Sequence, residues 1–150
     1  MRDILDGIQI RTAFKIAHLS NVYREPVYRE IEAKYGITRP EITTLLLLGF
    51  EDGKTAVEIC NFSGLLKTNV SRAVLALEKK GYIVRQADPS DRRRQVLCIT
   101  DAGRALHDAF FPMLVEREKW MVQSLTKRER DQLDRLLHKL ADNVPYWINR

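Results

Sequence analysis

The sequence is poor in the residues that build disulfide-bonded, metal-binding or membrane-spanning proteins. It has only two cysteines, Cys60 and Cys98, in 150 residues, and they lie on separate predicted elements without metal-site spacing. No apolar run approaches the roughly 18 residues of a membrane helix, and the N-terminus lacks an apolar signal-peptide core. We therefore expect a cytoplasmic protein with no membrane partner and no disulfide.

The sequence also lacks the residue constellations that carry catalysis. Its three histidines, His18, His107 and His138, fall on three different predicted helices. None of them has a neighbouring histidine, cysteine or carboxylate at ligand spacing, and no Gly-rich phosphate loop or nucleophile motif occurs. We therefore predict no metal site and no cofactor, and we do not expect an enzyme.

Positive charge is what the sequence has in excess. The formal net charge is +5, which suits a nucleic-acid partner, although charge alone discriminates poorly between classes of partner. A chain of 150 residues fits one domain and could bury about 70% of the surface of its unfolded form. A stable core is therefore expected without covalent cross-links.

Residues 1–34 are predicted to be mainly helical, because apolar residues recur there at near-helical intervals. Pro26 lacks a backbone donor and is expected to bend or break this helix near Arg24–Glu25. The next helix is predicted to start at Thr38, which forms a capping box with Glu41, and to run to Phe50.

A second short helix is predicted after the turn at residues 51–54. Thr55 would cap it, with Glu58 three residues further on completing a capping box. Three residues of this helix are predicted to face inward: Val57, Ile59 and Cys60. A turn that contains Gly64 leads into the next helix, and two helices joined in this way give a helix-turn-helix.

The helix after this turn has a polar side and an apolar side. At about 100° per residue, four polar residues fall within an arc of about 140°: Lys67, Thr68, Ser71 and Arg72. The opposite side is apolar: Leu66, Val70, Ala73, Val74 and Leu77. Because cationic and hydrogen-bonding side chains contact phosphates and base edges, we interpret this helix as a DNA-reading helix.

A β-hairpin is predicted directly after the reading helix. Gly81 ends the helix, Tyr82–Ala87 is rich in strand formers, Asp88–Asp91 turns the chain and Gln95–Ile99 returns it. The tip carries three arginines: Arg92, Arg93 and Arg94. We interpret the segment as a winged helix-turn-helix, so the predicted fold class is mainly α with a small β-hairpin wing.

The C-terminal part is also predicted to be helical. Thr100 caps a long helix, which Pro112 is expected to kink, and Thr126 with Glu129 caps the last helix. That last helix presents five apolar residues at helical spacing: Leu133, Leu136, Leu137, Leu140 and Val144. An apolar tail follows at residues 145–148, and aromatic residues at a chain end suggest a partner surface.

Four segments of the chain resemble the MarR family of bacterial regulators. They are Lys67–Arg72, Leu77–Arg85, Asp88–Arg94 and Ile99–Gly103. The resemblance implies a DNA-binding lobe at residues 38–103, flanked by dimerisation helices at residues 1–35 and 104–150. Many members have a Ser or Asp cap where this chain has Leu66, so we expect the reading helix to be capped from Ser63.

The resemblance also implies a homodimeric repressor that binds a pseudo-palindromic operator in double-stranded DNA. The major-groove residues would be Lys67, Thr68, Asn69, Ser71 and Arg72. Arg72 could bond a guanine and Asn69 an adenine, each contact being worth about 1–3 kcal/mol of discrimination. The wing arginines would reach the minor groove. The resemblance implies that Asp91 pairs with a neighbouring arginine and stiffens the tip, which leaves another arginine, Arg93 or Arg94, to insert.

Many members of this family bind small aromatic carboxylates, or larger aromatic derivatives such as thioesters, between the dimerisation helices and the DNA-binding lobe. Polar residues on otherwise apolar helices would orient such a ligand. The candidates in this chain are Arg11, His18, Tyr23 and Trp120.

Two other functions stay open on the sequence. The winged helix could bind protein partners through the same surface without sequence-specific DNA binding, although an arginine-rich wing argues against this. The chain could instead be a redox-sensing regulator that uses Cys60 or Cys98. Both cysteines fall within apolar patterns, which favours buried and inert thiols.

Overall fold

The structure, a computed structural model, describes residues 7, 9–91 and 93–148. Residues 1–6 and 8 of the predicted N-terminal helix, Arg92 of the predicted wing and the last two residues therefore lie outside the described residues. The chain divides into two compact units, Met1–Val115 and Glu116–Arg150. The helices and the antiparallel hairpin formed by the described residues confirm the predicted fold class.

The described residues form seven helices and two strands. They are α1 (Arg11–Tyr35), α2 (Arg39–Phe50), α3 (Ala56–Ser63), α4 (Lys67–Lys79), β1 (Ile83–Ala87), β2 (Gln95–Ile99), α5 (Asp101–Val122), α6 (Lys127–Asp142) and α7 (Val144–Trp147). Within the described ranges, no helix is both long enough and apolar enough to cross a membrane.

Helix α1 runs through Pro26 without a break, so of the two expected outcomes, a bend or a break, the break does not occur. A proline inside a helix removes one backbone hydrogen bond, but the residues after it are held by packing: Val27, Tyr28 and Ile31 are buried. The hydroxyl of Tyr35 also donates to the Ala109 carbonyl of α5 at 3.0 Å. These tertiary contacts thus outweigh the loss of one backbone hydrogen bond at Pro26.

Helices α2 and α3 begin at the positions that were predicted from their capping residues. The Thr38 N–H donates to the Glu41 carboxylate at 2.6 Å, and the Glu58 N–H donates to Thr55 Oγ1 at 3.2 Å. Glu41 is also bonded by Lys80 Nζ at 2.7 Å. Burial alone would raise the pKa of Glu41, but the Lys80 and Thr38 bonds outweigh it and the pKa is lowered. These bonds join the start of α2 to the end of α4.

The core of the first unit lies between α1, α2, α3, α4, the hairpin and α5. Its fully buried members include Ile31, Ile42, Leu45, Leu48, Ile59, Leu77 and Phe110. Each of these elements contributes one apolar face, so burial rather than intrinsic propensity holds them together. The other face of α4 is left outside this core.

The wing is an antiparallel pair in which Ile83 lies opposite Ile99 and Ala87 lies opposite Gln95. The turn before α3 pairs with the outer edge of β2, since the Leu97 N–H donates to the Lys54 carbonyl at 2.8 Å. A Cβ at Gly103 would collide with the carbonyl oxygen of Tyr82, so the start of α5 packs directly on the hairpin. The base of the wing is therefore fixed on both sides.

The second unit contains the end of α5 together with α6 and α7. The predicted cap of α6 is confirmed, because the Glu129 N–H donates to Thr126 Oγ1 at 3.3 Å. The leucines of α6 remain exposed in the single chain: Leu133, Leu136, Leu137 and Leu140. An amphipathic helix with an uncovered apolar side favours association with a partner.

Candidate nucleic-acid interface

Helix α4 separates its polar residues from the core. Four polar side chains of α4 are exposed: Lys67, Thr68, Ser71 and Arg72. The buried side consists of Val70, Ala73, Val74 and Leu77. Leu66, which was predicted on the buried side, is 70% exposed, because it precedes the first helical residue and does not share the helical periodicity. The rest of the predicted division is confirmed.

The start of α4 differs from the expected one. Leu66 is the N-cap residue and makes no side-chain cap bond. Ser63 instead completes α3: its hydroxyl donates to the Ile59 carbonyl at 2.6 Å and accepts the Leu65 N–H at 3.2 Å. The expectation that Ser63 caps the reading helix is therefore wrong, since its hydroxyl belongs to the preceding helix end.

Two predicted base-reading residues bond each other in the free protein. Arg72 Nη2 donates to Asn69 Oδ1 at 2.8 Å across one helical turn. This pair holds the guanidinium along the exposed side of α4. A bidentate bond from Asn69 to adenine would use the same carbonyl oxygen that accepts the Arg72 bond.

The wing is tied to α3 by Arg94. Arg94 Nη2 lies 2.7 Å from Glu58 Oε2, and Arg94 Nε lies 3.6 Å from Asp88 Oδ2. Bonds from the Thr55 N–H, the Arg94 guanidinium and the Thr55 hydroxyl lower the pKa of Glu58 to about 2. Its carboxylate is therefore ionised at neutral pH. We call Glu58, Arg94 and Asp88 the wing clamp.

Arg93 is placed differently from Arg94. Its side chain is 95% exposed, and its Nε lies 3.6 Å from Asp91 Oδ1, which also accepts the Arg93 N–H at 3.0 Å. The predicted pairing of Asp91 with a neighbouring arginine is confirmed for Arg93. Sequence reasoning missed the Glu58 contact of Arg94, because Glu58 was interpreted only as a helix cap.

Helix α3 turns one side to solvent. Val57 is 60% exposed, whereas Ile59 is buried and Cys60 is half-buried. Two residues along a helix correspond to a rotation of about 200°, so Val57 and Ile59 cannot face the same way. The prediction that Val57 faces inward is wrong, and the prediction for Ile59 is confirmed.

A cavity of about 870 Å³ lies in the first unit beside α3. Its lining residues are Arg24, Thr43, Leu46, Leu47, Phe50, Glu51, Lys54, Glu58, Ile59, Asn61, Phe62 and Ser63. Its volume is in the range of small-molecule sites. The predicted ligand residues Arg11, His18, Tyr23 and Trp120 are not among these lining residues. Nothing in the sequence pattern had pointed to Arg24.

Both cysteines carry free thiols and are half-buried. Burial, followed by the negative charge of Asp52, raises the pKa of the Cys98 thiol. A raised pKa lowers the thiolate fraction and thus the reactivity toward oxidants. This observation disfavours Cys98 as a redox sensor.

Two histidines have carboxylate neighbours that the sequence analysis had not expected. His107 Nδ1 lies 2.8 Å from Asp108 Oδ1, and His138 Nδ1 lies 3.4 Å from Asp134 Oδ1. In the described part of the chain, no group of three or more histidine, cysteine or carboxylate residues could hold a metal ion.

Comparisons with known proteins agree on one family. A MarR family model matches residues 35–94. The HTH-type transcriptional regulator YkoM of Bacillus subtilis is 30% identical over 117 residues, which are 78% of this chain and 76% of the relative. The crystal structure of a MarR/EmrR family transcriptional regulator from Acinetobacter sp. ADP1 is 29% identical, covers 90% of this chain and 95% of its own, and has a TM-score of 0.78.

A third similar structure contains a ligand. It is the crystal structure of CouR from Rhodococcus jostii RHA1 bound to p-coumaroyl-CoA. The two proteins are 20% identical, and the match covers 88% of this chain and 92% of CouR with a TM-score of 0.75. At this identity, the likeness establishes a shared fold.

Proposed function

Because the chain belongs to the MarR family of transcriptional regulators, we propose that it is a homodimeric repressor that binds a pseudo-palindromic operator and releases it when an aromatic ligand binds. The observation that carries the proposal is the exposed cationic side of α4 beside an arginine-bearing hairpin. Such a helix fits the major groove, and an arginine-bearing wing fits the adjacent minor groove.

In this proposal, residues 38–103 bind DNA and the flanking segments 1–35 and 104–150 dimerise. Five side chains of α4 contact the major groove: Lys67, Thr68, Asn69, Ser71 and Arg72. Phosphate contacts from lysine and arginine supply most of the affinity, whereas base contacts supply selectivity. Arginines of the wing contact the adjacent minor groove.

Dimerisation is supported by the uncovered leucines of α6. Two subunits related by a two-fold axis would place their α4 helices in successive major grooves about 10 bp apart. This arrangement requires an operator whose two half-sites are inverted copies. A monomer would contact one half-site and lose most of the affinity.

The full-length protein is expected to bind a duplex from the region upstream of its own gene more tightly than a scrambled duplex of equal length. Fluorescence anisotropy at several salt concentrations measures both affinities. The logarithm of the binding constant should fall by about 0.9 per phosphate contact for each unit of log salt. Equal affinity for both duplexes at moderate salt would instead support a winged-helix module that binds protein partners.

The cavity beside α3 is the proposed ligand site. Leu46, Leu47, Phe50 and Phe62 offer apolar and aromatic surface, and the lining includes two cations, Arg24 and Lys54. Apolar walls with a few polar groups are typical of small-molecule sites. An aromatic acid or its thioester fits this chemistry, and p-coumaroyl-CoA is the ligand bound to CouR.

Substitution of Phe62 by alanine is expected to weaken the binding of p-coumaroyl-CoA by roughly tenfold, because one aromatic wall of the cavity is lost. Phe62 is 81% exposed in the free protein, so the fold should tolerate the change. Isothermal titration calorimetry measures the affinity. Leu75→Ala is the matched control, since Leu75 is exposed on α4 and does not line the cavity. Equal affinities in both variants would exclude this cavity as the ligand site.

A further inference from the structure

The carboxylate of Glu58 serves two structural elements at once. Its Oε2 accepts the Thr55 N–H at 2.8 Å and the Thr55 hydroxyl at 2.7 Å, which caps α3. The same oxygen lies 2.7 Å from Arg94 Nη2 in the wing. A charged acceptor shared by a helix start and a hairpin couples the positions of the two.

The wing side of the clamp is equally well supported. The Asp88 carboxylate accepts the Ser90 N–H at 2.8 Å and lies 3.6 Å from Arg94 Nε. The Asp88 N–H donates to the Arg94 carbonyl at 2.9 Å, which closes the turn. The Arg94 guanidinium therefore lies between two carboxylates, one on the turn and one on α3.

This placement leaves Arg94 poorly suited to bind a phosphate. Its charge is compensated by Glu58 and Asp88, and a phosphate contact would leave at least one of these carboxylates beside DNA. Like charges in such proximity are unfavourable. Arg93 has one carboxylate neighbour, at 3.6 Å, and is almost fully exposed.

We propose that Glu58 is a positioning residue for DNA recognition: it anchors Arg94 to α3 and thereby holds the wing so that Arg93 reaches the minor groove. The inference rests on the proposed DNA-binding function and assigns different tasks to the two described wing arginines. Arg94 orients the wing, and Arg93 contacts the nucleic acid.

Substitution of Glu58 by glutamine tests this assignment. Glutamine at this position still completes a capping box, so the start of α3 is preserved while the charge that holds Arg94 is removed. We expect roughly fivefold weaker operator binding, the size of coupling found between contacting residues, although the variant gains one positive charge per subunit. If Arg94 itself contacts DNA, the same substitution frees a cation and binding becomes tighter.

The matched control is Glu78→Gln. Glu78 pairs with Arg85 at 2.9 Å on the same lobe but outside the wing clamp, so this variant undergoes the same change in charge. We expect it to bind the operator as tightly as the wild-type protein or more tightly. If anisotropy shows that Glu58→Gln binds the operator as tightly as Glu78→Gln, or more tightly, the proposal is overturned.

A double-mutant cycle adds a second readout in the full-length protein. Arg94→Ala should weaken operator binding about as much as Glu58→Gln, and the double variant should be no weaker than either single variant. The slope of log affinity against log salt should fall by about 0.9 per subunit in Arg93→Ala and stay unchanged in Arg94→Ala. A reduced slope in Arg94→Ala would show a phosphate contact and contradict the inference.

Hydrogen exchange on the free protein separates this inference from the proposed function. The Asp88 and Arg94 amides of the turn should exchange faster in Glu58→Gln than in the wild-type protein, and Glu78→Gln should leave their rates unchanged. Unchanged exchange in Glu58→Gln refutes the anchoring role whether or not DNA binds. If wild-type protein shows no preference for the operator, the proposed function fails while this measurement still decides the anchoring.

Discussion

Replacement of Leu136 by aspartate is expected to convert the proposed dimer into monomers and to abolish operator binding at concentrations that saturate the wild-type protein. Leu136 is 54% exposed in the single chain, and it lies at helical spacing with Leu133, Leu137 and Leu140 on α6. A carboxylate buried without a partner in an apolar interface costs several kcal/mol. Light scattering after size-exclusion chromatography measures the oligomeric state.

The control for this prediction is His138→Asp. His138 is exposed on the same helix and lies about 100° or more around the axis from each of the four leucines, and the substitution introduces the same carboxylate. It should stay dimeric and keep its affinity for the operator. If both variants remain dimeric, the leucine side of α6 is not the subunit interface.

Substitution of Arg72 by alanine is expected to remove operator selectivity while the dimer stays intact. Loss of one bidentate contact with a guanine costs about 1–3 kcal/mol, which is roughly a fivefold to 150-fold change in the ratio of operator to scrambled affinity. Arg72 is exposed, and its guanidinium bonds Asn69 on its own helix, so the fold should tolerate the substitution. Anisotropy with both duplexes measures the ratio.

Removal of one positive charge outside α4 distinguishes base recognition by Arg72 from general electrostatic attraction to DNA. Arg128→Ala removes one cation from the exposed surface of α6 and should change both affinities alike, without a change in their ratio. Should Arg72→Ala retain the wild-type ratio, a different side of α4 or another segment reads the bases.

The predictions that were confirmed concern short-range patterns. The caps at Thr55 and Thr126 join residues three positions apart, so a four-residue pattern contains all the chemistry that they need. The buried side of α4 follows from the 3.6-residue period, which the sequence displays directly. At Leu66 the same reasoning failed, because the helix had not yet begun there.

Of the bend or break expected at Pro26, the break does not occur, and the reason is a different one. A local rule gives the cost of a missing backbone donor, but it does not include the burial of Val27 and Ile31 against the rest of the core. The error at Val57 is a different one. Val57 was assigned to the core because it is apolar, but only one side of this short helix faces the core and Val57 lies on another side. Packing thus overrode a local rule at Pro26, whereas at Val57 the helical period itself would have shown that Val57 and Ile59 face different ways.

The sequence by itself determined the order of elements, most helix starts, the cationic side of α4 and the family. Each of these features depends on residues close together in the chain or on a regular spacing of apolar and polar residues. Only the tertiary structure decided that Glu58 meets Arg94, 36 positions away along the chain, and that Arg24 borders a cavity with residues of α2 and α3. Contacts between distant residues depend on how whole elements pack, and no local pattern of residue types specifies that packing.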